Sequence, residues 1–134
     1  MKIFLATFIG LVVCFFATPL LELIGHSLFP VPFKVDFSNM EEFNANKHLI
    51  PTGAYISVAL AHAISLVIGL IVARMIEKTD MIPLYIIAGF ILFGTVANAF
   101  GIPHPTWFKI LDITLVTSVS VVLLYFFFKK NKLK

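Results

Sequence analysis

Residues 51–76, PTGAYISVALAHAISLVIGLIVARMI, form an apolar stretch long enough to cross a bilayer, and no other feature limits the fold as strongly. At roughly 1.5 Å per residue the stretch reaches about 39 Å as a helix. Every fourth position along it is small: Gly53, Ser57, Ala61, Ser65, Gly69 and Ala73. In lipid, burial from water no longer drives helix association, so such a seam signals close backbone approach by another helix. His62 lies beside the seam, about 20° around the helix from Gly69. The rest of the chain is expected to pack around this central helix.

Three further apolar segments, residues 3–25, 82–102 and 106–128, complete the set. A soluble domain of 134 residues cannot bury a sequence that is 60% hydrophobic and 13% charged. The expectation is an all-α integral membrane protein, a single domain of four transmembrane helices in an up-down bundle. The start, Met1-Lys2 before an apolar run, also resembles a signal peptide. The run is too long for that and no Ala-x-Ala site follows, so a retained helix is expected, bent near Pro19.

Residues 26–50 form the one substantial loop, and Pro30 and Pro32 favour an extended beginning. Ser38 followed by Glu41 matches a capping box, which predicts a short interfacial helix over 39–47. The link between the third and fourth spans is so short that they must form an antiparallel hairpin. Gly94, Ala97, Asn98 and Gly101 share one face of the third span and predict a second tight contact surface.

Lys2, Arg74, Lys78, Lys129, Lys130, Lys132 and Lys134 fall on one side of the membrane, against Lys34, Lys47 and Lys109 on the other. The positive-inside rule then puts both termini in the cytoplasm, with the 26–50 loop facing outwards. The terminal KKNKLK run is a topology anchor in this setting, not a nucleic-acid patch. The single cysteine, Cys14, excludes a disulfide framework or Cys-x-x-Cys redox chemistry within one chain.

Ionisable groups inside a span are costly and need a partner or a wet cavity. Here Glu22, His26, His62, Asn98, His104 and Asp112 all fall in the outward half. A purely local account pairs Glu22 with His26, pairs Asp112 with Lys109, and joins His62 to Asn98 or Ser65. A convergent account brings Glu22, His26, His62, His104 and Asp112 into one outward-facing pocket. Imidazole and carboxylate together can hold a divalent transition metal or relay protons to a small substrate. No His-x-x-x-His, His-Glu-x-x-His or cysteine pair is present, so any site is assembled from separate helices. Bis-histidine haem is disfavoured because His62 lies well below His26 and His104. A quinone site would draw on His62, Asn98 and the aromatic residues, with no motif that selects it. Nucleophilic catalysis has no anchor, which leans away from an enzyme. Thr114, Thr117 and Ser118 lie away from the Asp112 face and suit a packing or oligomer surface.

The run of short motifs is Gly25-His26, Pro30-x-Pro32, Leu60-Ala61-His62 and Ile102-Pro103-His104-Pro105-x-Trp107-Phe108, followed by Asp112. It resembles a group of small bacterial four-helix membrane proteins of no assigned activity. The resemblance implies four spans and a bacterial inner membrane, and transfers no functional residue. Two classes of function remain. One is an accessory, partner-binding or oligomeric membrane component; the other is a protein bearing the His and carboxylate site. The two outer boundaries, GHSLFPVPF and GIPHPTWF, also echo one another, as two hairpins related about the membrane normal would.

Overall fold

The computed structural model describes residues 1–34, 36 and 38–132; Lys134, counted above among the basic residues, lies outside them. The order is α1 (Lys2–Leu28), α2 (Met40–Asn46), α3 (Thr52–Ile76), α4 (Ile82–Gly101) and α5 (Thr106–Lys132), all helical among the described residues. The four long helices are each long and apolar enough to span a membrane. Large apolar side chains such as Phe4, Phe8, Phe15, Phe90, Phe93 and Phe126 point outward, as lipid solvation permits. The chain is therefore a multi-pass, all-α membrane bundle.

Helix α3 is central. Half of its most apolar stretch is buried, against 17% for α1 and for α5. It packs on α1, α4 and α5, and α4 also meets α1 and α5, whereas α1 and α5 share no contact among the described residues. The Gly53-to-Ala73 seam faces α1. A side chain at Gly69 would overlap the Cys14 thiol and come within 2.9 Å of the Gly10 carbonyl. One at Gly10 would come within 3.1 Å of the Gly69 carbonyl and 3.2 Å of the Ala73 methyl. Farther along, Gly25 sits against Ser57, and Gly53 against Phe29. Two glycines facing each other are what lets these backbones approach, because any Cβ would hold them apart.

The glycine face of α4 behaves differently. A Cβ at Gly94 or Gly101 meets nothing within 4 Å, so the tight contact expected on their shared face is absent. The capping box is also shifted by one residue. Asn39 caps α2 by accepting from the Glu42 amide at 3.2 Å, and its own Nδ2 donates to Glu42 Oε2 at 3.1 Å. Ser38 turns to Asp36 instead, its hydroxyl donating to Oδ1 at 2.6 Å.

The two ends of the bundle differ chemically. Toward the termini, Ala6, Cys14, Leu66, Leu70, Ala73, Leu84, Ile87 and Val116 form a dry core. Toward α2 the apolar cluster shrinks to Tyr55, Ala59 and Phe108, and polar side chains enter the interior.

Candidate functional site

His62 ties together the two helices that do not otherwise touch. Its Nδ1 lies 3.0 Å from both carboxylate oxygens of Asp112 on α5. Its Nε2 lies 3.7 Å from Glu22 Oε1 on α1. The Asp112 side chain is fully buried, His62 is 12% exposed and Glu22 31% exposed, so access increases along the row from Asp112 to Glu22. The local pairings expected from sequence are thus replaced by a tertiary row. Glu22 turns to His62 and not His26; Asp112 turns to His62 and not Lys109, whose ammonium sits 5.2 Å from the Phe100 ring centroid. Desolvation explains the swap, since a buried carboxylate gains more from an equally buried partner than from a snorkelling lysine.

The helices set this geometry through the seam. The Thr18 hydroxyl donates to Ser65 Oγ at 2.8 Å, and Ser65 Oγ donates to the His62 carbonyl at 3.0 Å. The Cys14 thiol donates to the Ser65 carbonyl at 3.3 Å. These bonds fix the α3 turn carrying His62 against α1, one turn below Glu22. With Nδ1–H donating to Asp112, Nε2 is the ring nitrogen that faces Glu22.

Two openings flank the row. A cavity of about 280 Å³ at the α2 end is lined by Glu22, His26, Asn98 and His104 among apolar and aromatic walls that include Phe43, Tyr55 and Phe108. A cleft of about 420 Å³ between α1 and α4 is lined by Thr18, Pro19, His62, Gly94 and Thr95, beside the lipid-facing rings of Phe15 and Phe90. Glu22 belongs to the cavity and His62 to the cleft, so their 3.7 Å contact is the septum between the two.

His104, in the loop between α4 and α5, contributes differently. Burial pushes its imidazole down to about 4, and the nearby Lys109 charge acts in the same direction. The ring packs edge-on against Phe108 at 4.7 Å and Tyr55 at 5.9 Å. Both of its ring nitrogens and the Tyr55 hydroxyl are buried without a hydrogen-bond partner among the described residues. Thr95 Oγ1, in the cleft, is in the same position. Buried polar atoms are normally satisfied, so the residues around both openings hold hydrogen-bonding capacity that the described chain does not use. His26 is exposed at the rim whereas the His104 nitrogens are buried, so the two boundary motifs that echo in sequence are not equivalent.

The expected convergence therefore divides. Glu22, His62 and Asp112 form the row; Glu22, His26, Asn98 and His104 share the cavity. Among the described residues no three His, Cys, Asp or Glu side chains are grouped to hold a metal ion. Sequence reading overlooks Tyr55 and Thr95. The available signals are spacing: Tyr55 precedes His62 by two helical turns on one face, and Thr95 precedes Asn98 by one turn. Comparison with protein-family models, curated proteins and solved structures finds no match to this chain.

Proposed function

We propose that the protein is a proton-coupled binding protein of the membrane, taking a small, mostly apolar molecule with a hydroxyl or carbonyl group into the α2-end cavity. The observation that carries this reading is the septum: Glu22 faces the cavity, His62 faces the lipid-side cleft, and 3.7 Å separates them. Asp112 holds the far side of the ring, so a proton taken up at Nε2 is shared with a carboxylate at either end. The cavity suits one ring-bearing molecule, being nearly twice the ~150 Å³ of cavities that accept benzene. Neutral His104 and the Tyr55 hydroxyl stand unpaired in the wall without a net charge, and Asn98 and His26 line the same cavity. The distribution of basic residues supports an orientation with both termini cytoplasmic and the cavity outward. The bacterial inner-membrane setting rests on the motif resemblance described above.

Proton linkage is favoured over metal binding because the His62 nitrogens already face Asp112 and Glu22. Trp107, the only tryptophan, lies edge-on to Tyr55 at 5.6 Å and reports on the cavity wall. Phenol is a suitable probe. Its addition to the reconstituted protein is expected to change Trp107 emission, and calorimetry in two buffers of different ionisation enthalpy should register proton exchange on binding. A His62→Gln variant should still bind phenol but exchange no proton. Equal proton exchange by the two proteins, or no response of Trp107 up to millimolar phenol, defeats the reading.

A further inference from the structure

At the opposite end, near the termini, a second concavity of about 350 Å³ lies between the ends of α3 and α5. Arg74 from α3, Lys78 from the following turn and Lys130 from α5 line it, together with Asn131 and the apolar side chains of Ile71, Met75 and Phe127. No carboxylate lines it, so its wall carries three formal positive charges with nothing of opposite sign. The neighbouring acids are committed elsewhere. Glu77 accepts from the Thr79 amide at 2.9 Å, the Thr79 hydroxyl at 2.7 Å and the Asp80 amide at 3.1 Å. Those bonds hold its carboxyl at about 2, and Asp80 Oδ1 accepts from the Ile82 amide at 2.8 Å.

Arg74 is held but not neutralised. Its guanidinium donates to the Asp80 carbonyl at 3.2 Å, to the Glu77 carbonyl and to Asn131 Oδ1, all uncharged acceptors, and lies 5.9 Å from the Phe127 ring centroid. Asn131 Nδ2 in turn donates to the Thr79 carbonyl at 2.7 Å, so the turn and the end of α5 are locked together. Among the described residues no lysine or arginine forms an ion pair with a carboxylate here. A fixed guanidinium flanked by two lysines is a receptor for phosphate oxygens. The apolar members extend along the lipid-facing surface, where Ile71 is 44% and Met75 69% exposed.

We propose that this cleft binds the phosphate of an anionic phospholipid, with the adjoining acyl chain lying along Ile71 and Met75. The chemistry differs from that of a topology anchor. An anchor needs only positive charge near the headgroups, whereas this cleft draws three cations from three elements into one concave wall with its own apolar floor.

The test uses the full chain, delipidated in detergent and examined by native mass spectrometry with added lipid. Phosphatidylglycerol is expected to bind at one molecule per chain and at least about ten-fold tighter than phosphatidylcholine of the same chain length. Lys78→Gln with Lys130→Gln should bring the preference within about two-fold, each lysine near a surface contributing about five-fold. Neither ammonium takes part in the bonds that lock Arg74, so the circular-dichroism melt of this double variant should match the wild type. The control, Lys129→Gln with Lys132→Gln, removes equal charge from the end of α5 outside the cleft and should keep at least about a five-fold preference. Equal binding of the two lipids by the wild type, or equal losses in the two double variants, overturns the proposal. Displacement of phosphatidylglycerol by millimolar inorganic phosphate would make the site one for the free anion and overturn the lipid assignment.

Discussion

Two faces of this bundle carry the same small-residue signature and end differently. The α3 seam meets Gly10, Cys14 and Gly25 of α1 so closely that a Cβ at Gly69 has no room. On the α4 face Gly94 and Gly101 meet nothing, and Gly94 becomes part of the wall of a cleft. A stripe of small residues therefore permits close approach without causing it. The partner must also be small at the matching heights, as α1 is at Gly10 and Gly25. The tight face holds Glu22 and His62 in register, while the loose face leaves a way to reach His62 from the side.

The comparison is broken most severely through Asp112. Replacing it with Ala strands His62 in the interior and removes the polar contact within the α3–α5 interface; the expected loss is about 3–5 kcal/mol, read from reversible unfolding in mixed detergent. Gly69→Leu forces the seam apart, and about 3 kcal/mol is expected by the same measurement. The matching Gly94→Leu should stay within about 0.5 kcal/mol, because its side chain enters open space. Similar losses for the two glycines would erase the distinction drawn between the faces. Ser65→Ala removes one of the two acceptors of Thr18 and should cost about 1 kcal/mol, with Thr18→Val costing less in that background than in the wild type because only the bond to the Cys14 carbonyl is left to lose.

The finest test is pH. His104 has a folded-state value near 4, below the ordinary value of 6.5, so the unfolded chain binds more protons between these limits. Stability should accordingly rise from pH 4 to about 6.5 and level off above it, with a slope reduced by partial solvent screening of the ring. His104→Phe should flatten that rise. A slope unchanged by the substitution would assign it to other groups.

The architecture was largely legible in the sequence, because a span announces itself by length and apolarity without reference to any partner. The seam was legible too, since its spacing is a property of one helix. What faced it was not: Gly10 and Cys14 of α1 look like ordinary members of an apolar run. The site residues were visible singly, as ionisable groups where lipid disfavours them, but sequence left open whether they pair locally or converge. Sequence offers Glu22 with His26 and Asp112 with Lys109, neighbours on single helices, whereas burial decides for the distant partner His62. Local competition likewise moved the cap of α2, because Ser38 is taken by Asp36 and leaves Asn39 to accept the helix amide. Tyr55 and Thr95 escaped notice because a hydroxyl attracts attention only once its surroundings are seen to lack a partner.

Pro19 sits within α1 and lines the same lipid-side cleft as Phe15, Thr18 and His62. Proline has no amide hydrogen, so the carbonyl of Phe15, one turn earlier, loses its helical donor. Within hydrocarbon an uncommitted carbonyl is a strong and uncharged acceptor. Pro19 thus leaves α1 with one uncharged backbone acceptor at Phe15, a residue that itself lines the lipid-side cleft.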